Sequence, residues 1–494
     1  MNPTGFFDFS ARQGAGTQRG MVLVAVIALL IFLGLFCTVA VSLLTTSSGS
    51  NANLVQGAQA LAIAQAGSEW YLETLRTDTN WAGETDQTRS FSDGNFTIHV
   101  LSAAATEVQF RSTGVIASTS SSVNIQRTAT LTAQKLSPAF RFALYQGANP
   151  GANFSLVANG ANPAVVTGDA WSAGSVVINT PNQATLGKVY VPDNQNVTGT
   201  GTYVKKLMSS PYLSMPVPTA TYYTDLISTF NSTLDADASN SDQTVNSGTF
   251  TVSGTMNYRN FTTSGTVTIR GNGTIVANRA LSLHSGGTSL VVTPDAGGTI
   301  TFLANRTLTI GANTDPSISI SANCRFYSRA FTSNTQQILV RGANTTISQS
   351  FLIGQRNITV QTGADILSNS TLFVNDAGSN TNNEVEIVGD PSVTTVQGSL
   401  ISLSKNNPAI YIHNGGTAKT NVVVQGIVYA YGDASSGFCQ LQDATIQGSV
   451  VCNLFSSNQI QNVAITYDPS YLPAPPPQGF ENYVSVKPNA WDGL

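Results

Sequence analysis

Residues 21–44, MVLVAVIALLIFLGLFCTVAVSLL, form an apolar run that carries no charge. A helix rises about 1.5 Å per residue, so this run is long enough to cross a hydrocarbon core of about 30 Å. A secretory signal has a shorter apolar core, with its small-residue cleavage site at the far end. Here the best processing signal, Gly20-Met21, lies before the run. Cleavage at that bond leaves the hydrophobic helix on the mature chain. Arg12 and Arg19 outweigh Asp8 in the leader, which keeps the leader cytoplasmic and sends the rest of the chain outward.

The next stretch continues the helix. Leu54, Ala58, Leu61, Ala62, Gln65, Ala66, Glu69 and Leu72 recur at three- and four-residue steps, the pattern of one amphipathic face. FTIHV, VQFRSTGVIA and VNIQRTATLTAQ then alternate apolar and polar residues, as strands of a small sheet do.

From about Arg19 to Leu75 the chain resembles a type IV prepilin. The leader ends in Gly20, the mature chain begins at Met21, and AQALAIAQAGSEW resembles the N-terminal helix of the minor pilins of pilus assembly, with Ala64, Ala66, Gly67 and Glu69 at its end. The resemblance implies that prepilin peptidase cuts between Gly20 and Met21 and methylates Met21. It implies an inner-membrane, single-pass location before transfer to a pilus or the cell surface. The implied partners are other major and minor pilins and the inner-membrane assembly platform. One residue departs from the family. Most pilins carry Glu at the fifth mature position, where it neutralises a neighbour's N-terminal ammonium; here that position is Ala25. A buried charge without a partner is costly, so the loss favours a minor, initiating or tip subunit over the repeating one.

Only 10% of the 494 residues are charged, well below the usual ~25%. Ser, Thr, Asn and Gly fill the gap, while β-branched apolar residues stay abundant, as in extracellular β-solenoids and adhesins. Net charge is −4 with 22 Lys and Arg and no basic stripe, which argues against nucleic acid as a partner. From Phe140 short apolar triplets recur between Gly and Asn. Val267-Thr268-Ile269, Leu308-Thr309-Ile310, Val385-Glu386-Ile387 and Ile410-Tyr411-Ile412 are examples. Ile318, Ile338 and Ile358 suggest a period near twenty. Each triplet reads as an in-out-in strand, and the spacing predicts stacked coils.

The predicted fold class is therefore mainly β: a long N-terminal α-helix, a small β-sheet, then a right-handed parallel β-helix. The predicted organisation is leader 1–20, helix 21–78, small sheet 79–137, β-helix 138–465 with an insertion at 203–240, and proline-rich tail 466–494. In the insertion, Pro211, Pro216 and Pro218 predict an extended crossing, and Tyr222 to Leu234 a helix that lies against the solenoid or caps a coil edge. Phe480 and Trp491 are the expected anchors of the tail. A β-sandwich pair is the alternative, but it needs more Asn-Gly or Asp-Gly hairpins than the chain has.

Cys439 and Cys452 are compatible both with a disulfide and with two separate buried thiols. No metal or cofactor site is expected, because His99, His284 and His413 are far apart and no CxxC pair occurs. Asp295, Asp315, Asp365, Asp376, Glu384, Glu386 and Asp390 are the candidate catalytic acids of the solenoid, and only the last three cluster. His284 and His413 have no acid partner evident in sequence. The expectation is assembly and display rather than catalysis, with Tyr327, Tyr429 and Tyr431 as candidate platforms for surface glycans. The competing reading is a membrane-anchored β-helix that binds or cleaves glycans outside any pilus system.

Overall fold

The computed structural model describes residues 15–486, less 78–82, 105–106, 117–123, 148–153, 158–163, 180–184, 200–201, 209–212, 214, 219, 237–240, 285, 287–288, 313–316, 322, 330–336, 376–383, 390–391, 406–407, 415–421, 433–436, 474–476, 478 and 481–483. Helix α1 runs unbroken over Ala15–Thr77. Its apolar part is exposed along its length, with Phe32 and Leu44 both 70% accessible. It is long and apolar enough to cross a membrane, by length and composition. Its last five turns differ. Ala60, Ile63, Ala64, Tyr71 and Leu75 are buried against a sheet of β1 (Gln87–Phe91), β2 (Gly94–Ala103), β3 (Glu107–Ile116) and β4 (Ile125–Gln134). The sheet is antiparallel throughout.

The small residues of the helix explain how closely it lies. A Cβ on Gly114 of β3 would come 2.1 Å from the carbonyl oxygen of Ala60. The Ala- and Gly-rich stretch therefore brings helix and sheet backbones into contact, and larger residues flank the seam. Tyr71 meets Phe110 edge to face at 4.6 Å, which closes the small core.

The solenoid follows, and its ladders are all parallel. One face is an open sheet of 13 strands. Leu281, Leu308, Ile338, Ile358, Val385, Ile410 and Cys439 stack along it as one interior column. The in-out-in reading of the triplets matches the burial of 261–263, 281–283 and 308–310, each with its two outer residues buried. The period does not hold as a constant. Ile338 and Ile358 are neighbours on one face, but Ile318 pairs with Leu290 and Thr345 on another. Coil corners vary in length, so successive rungs are twenty to thirty residues apart.

The stacking order is not the chain order. Strands 144–146, 154–157 and 165–167, which open the solenoid, lie on strands 445–452, 454–461 and 464–466, which close it. Val450 pairs with Leu144, Val451 with Tyr145 and Cys452 with Gln146. From there the early coils extend one way to Thr202–Met208, and the late coils extend the other way to Gln243–Val245.

The chain must therefore travel the length of the stack between Met208 and Gln243. Twelve gaps in the 13-stranded sheet, at about 4.8 Å each, span about 58 Å. The 17 residues of α2 (Ala220–Ala236) supply about 25 Å, and the eleven positions between Met208 and Ala220 allow at most about 36 Å more. Contacts follow this route. The Tyr145 hydroxyl donates to the Leu213 carbonyl at 2.8 Å, and that of Tyr429 donates to the Pro216 carbonyl. Tyr223 then stacks on Phe373 at 3.8 Å, Phe230 reaches Tyr327 at 5.2 Å, and Asp235 pairs with Arg329. The insertion is thus a lengthwise return strap, not an end cap. Pro211 lies outside the described residues.

The tail also does more than run along the surface. Phe480 is fully buried, edge-on to Phe140 at 5.5 Å and to Tyr429 at 4.8 Å. Ser485–Val486 then pairs antiparallel with Gln134 and Ala133 of β4. The tail completes the small sheet, so the solenoid is tied to it at both ends of its own chain. Trp491 lies outside the described residues.

Candidate functional site

The Gly20-Met21 bond lies in the helical backbone of α1, and Ala25 is exposed on its apolar part. Among the described residues nothing covers this part, with Val24 at 66% and Phe36 at 66% accessibility. Cys37 is a free, exposed cysteine within it. Cys439 and Cys452 are joined as a disulfide, their Cα atoms 6.2 Å apart. Cys324 is a free thiol in the solenoid interior, where burial pushes its pKa up to about 12.

The candidate aromatic platforms fall elsewhere than expected. Tyr327 and Tyr429 are fully buried, because the strap and the tail cover that outer flank. They anchor the strap rather than face a ligand. Tyr431 packs, partly buried, at the rim of the same cluster. Burial raises the Tyr327 and Tyr145 phenols far above their usual range.

One polar group does assemble on the outside of the 13-stranded sheet. Strands 385–388 and 410–413 pair so that Glu386 faces Tyr411 and Val388 faces His413. The side-chain period of two puts Glu386, Tyr411 and His413 on the same outer face. His413 Nε2 lies 3.0 Å from Glu386 Oε1, and the Thr359 hydroxyl donates to Glu386 Oε2 at 3.1 Å. Tyr411 stacks on the His413 ring at 3.9 Å, and its hydroxyl donates to Gln442 Oε1 at 3.4 Å. His413 thus has the acid partner that sequence separation hides. Glu384 precedes this strand, and burial, reinforced by the charge of Glu386, pushes its pKa up to about 7. Asp315, Asp376 and Asp390 lie outside the described residues.

The group combines a flat aromatic surface, a carboxylate held by two donors and a carboxyl that titrates near neutrality. Such a surface can stack on a sugar ring and accept hydrogen bonds from its hydroxyls. Glu386 is engaged by His413 and Thr359, which ties it in place rather than freeing it as a nucleophile. Among the described residues no three His, Cys, Asp or Glu side chains gather as metal ligands.

The raised pKa of Glu384 has a definite stability consequence. Its folded value lies above its unfolded value of 4.5, so the folded state binds the extra proton between pH 4.5 and 7. Stability is expected to fall as pH rises through that window, by about 2 kcal/mol once partial solvent access is allowed for. Glu384→Gln is expected to remove this decline. Urea unfolding at pH 4 and pH 8 checks it: the variant gains over wild type at pH 8 and not at pH 4.

Comparison with protein-family models, with curated proteins and with solved structures finds no match.

Proposed function

We propose that this chain is a minor subunit, at the tip or start, of a type IV pilus or type II secretion-like filament, and that it displays its β-helix for adhesion or contact with partner pilins. The observation that carries the reading is α1: one unbroken helix, apolar and, among the described residues, uncovered over 24–44, docked by its other end on a small antiparallel sheet. A helix built this way seats in a bilayer first and among other apolar helices afterwards, with no change in the folded head. The Gly20-Met21 bond before the apolar run and Ala25 in place of the usual Glu support a minor position. The β-helix is too bulky to repeat at every subunit of a thin filament. Prepilin peptidase is the processing partner in this reading, and catalysis is not part of it.

The test is the mature N-terminus, read by mass spectrometry after expression with and without a prepilin peptidase. The expected product begins at N-methylated Met21 and is lost without the peptidase. An intact leader, or a cut beyond Leu44, overturns the reading.

A second reading rests on the Tyr411–His413 stack beside Glu384 and Glu386: a membrane-anchored β-helix that binds surface glycans outside any pilus system. It expects Tyr411→Ala to abolish retention on a glycan surface that holds the wild-type chain. Equal retention removes it.

A further inference from the structure

The two ends of the solenoid are built differently. At one end lies Thr202–Met208, whose sequence TYVKKLM places Lys205 and Lys206 in the edge strand. Charged edge residues, lysine above all, are how natural sheets block pairing with another chain. At the other end lies Gly248–Tyr258, an edge strand of 11 residues. No charged residue occurs from Gln243 to Tyr258. Among the described residues its only ladder partner is 266–277. The described part of the strap packs along the flank, and Thr249, Thr251, Ser253, Gly254 and Thr255 of the edge strand are exposed. Phe250, Met256 and Tyr258 close the interior column there and are only partly buried.

The corner glycines give an independent sign. Inside the stack, a Cβ on Gly273 would come 2.3 Å from the Gly254 carbonyl oxygen, and one on Gly448 2.0 Å from that of Gly426. Each of these glycines makes room for the rung stacked on it. Gly254 occupies the same corner on the end rung, and a Cβ there would meet nothing within 4 Å. The end rung thus keeps, bare, the place where a further rung fits.

We infer that this end is a pairing edge, and that its occupant is a second copy of the chain, bound through the same strand. A copy stacked head to tail would place the lysine-bearing edge on this rung and would polymerise without closing. Antiparallel self-pairing avoids both. A twofold axis near Ser253 lays each arm of the bent strand on the other arm of its mate. Phe250 of one copy then faces Met256 of the other, and Ser253 faces its own equivalent. The hydrogen-bonding groups of both edges are satisfied, both open columns are covered, and the lysine edges point away. This inference is independent of how the N-terminus is processed.

Sedimentation velocity on the full chain in detergent tests it, in a Cys37→Ser background that removes the exposed thiol. The expected species is a dimer at tens of micromolar. Ser253→Lys puts two ammonium groups face to face and is expected to weaken dimerisation at least tenfold with an unchanged melting temperature. Gly254→Asn, a residue that tolerates the left-handed backbone, fills the vacant corner and is expected to do the same. Ser253→Cys is expected to give a disulfide-linked dimer on mild oxidation, and Lys205→Glu to change nothing. A monomer up to about 100 μM overturns the inference. So does a dimer that survives Ser253→Lys without Ser253→Cys cross-linking, which places the contact elsewhere, such as on α1. A ladder of larger species that responds to Lys205→Glu establishes head-to-tail stacking instead.

Discussion

Replacing Gly426 with alanine is expected to destabilise the solenoid by about 3 kcal/mol or more, among the largest effects of any single methyl group in this chain. Gly398, Gly426 and Gly448 stack as ladder partners on successive rungs. Gly426 has φ +149°, in the region that L side chains avoid. A Cβ there would sit 1.8 Å from the Gly398 carbonyl oxygen and 2.8 Å from its carbon. Both are backbone atoms of a rung fixed by its own ladder, so no rotamer change relieves the clash. The neighbouring glutamines hold the same register: Gln397 Nε2 donates to Gln425 Oε1 at 2.8 Å, and Gln425 Nε2 to Gln447 Oε1 at 2.6 Å. Separating the rungs at Gly426 therefore also breaks this amide ladder. Thermal unfolding by circular dichroism checks it, with Gly286→Ala as control because a Cβ there meets nothing within 4 Å. Equal melting temperatures for the two variants would mean that the corner relaxes and that the stack is less rigid than its ladder implies.

The span, the small sheet and the parallel coils were legible because each rests on local periodicity. An uncharged run of bilayer length, alternation within the strands between 94 and 134 and in-out-in triplets all follow from neighbours along the chain. The misread features depend on stacking order, which sequence separation does not encode. Val396-Gln397-Gly398, Val424-Gln425-Gly426 and Ile446-Gln447-Gly448 form a repeat at steps of 28 and 22 residues. Its unequal steps fit no constant period. The partnership of Glu386 with His413 is hidden the same way: one coil of 25 residues sets Tyr411 opposite Glu386, and the pleat carries His413 to the same face. Tyr327 and Tyr429 carry no local sign that α2 and the tail cover them. Their neighbours in sequence read like those of uncovered strands, and only the routes of the strap and the tail distinguish them.

Tyr223→Ala is expected to cost about 3–5 kcal/mol, the loss of a buried aromatic from a packed seam. Tyr223 is 1% exposed, and its ring lies parallel to that of Phe373 within 7°. Its surroundings cannot collapse to fill the gap, because Phe373 belongs to a strand paired on both sides. The consequence reaches beyond the helix. The late coils of the solenoid are joined to the early ones by ladder contacts at 445–466 and by the strap, the one covalent path from Met208 to Gln243. Once α2 lifts, the outer flank formed by Val276, Leu303, Tyr327 and Ile353 faces water, and the rungs at the open end lose their lateral support. Amide hydrogen exchange on the full chain in detergent reads this directly. Protection is expected to fall in α2 and in 266–304, with β1–β4 unchanged, while Ser228→Ala on the exposed side of α2 has no effect. Uniform loss of protection through the small sheet as well would mean that solenoid and stem unfold as one unit, so that the tail strand on β4 couples them more tightly than the strap couples the coils.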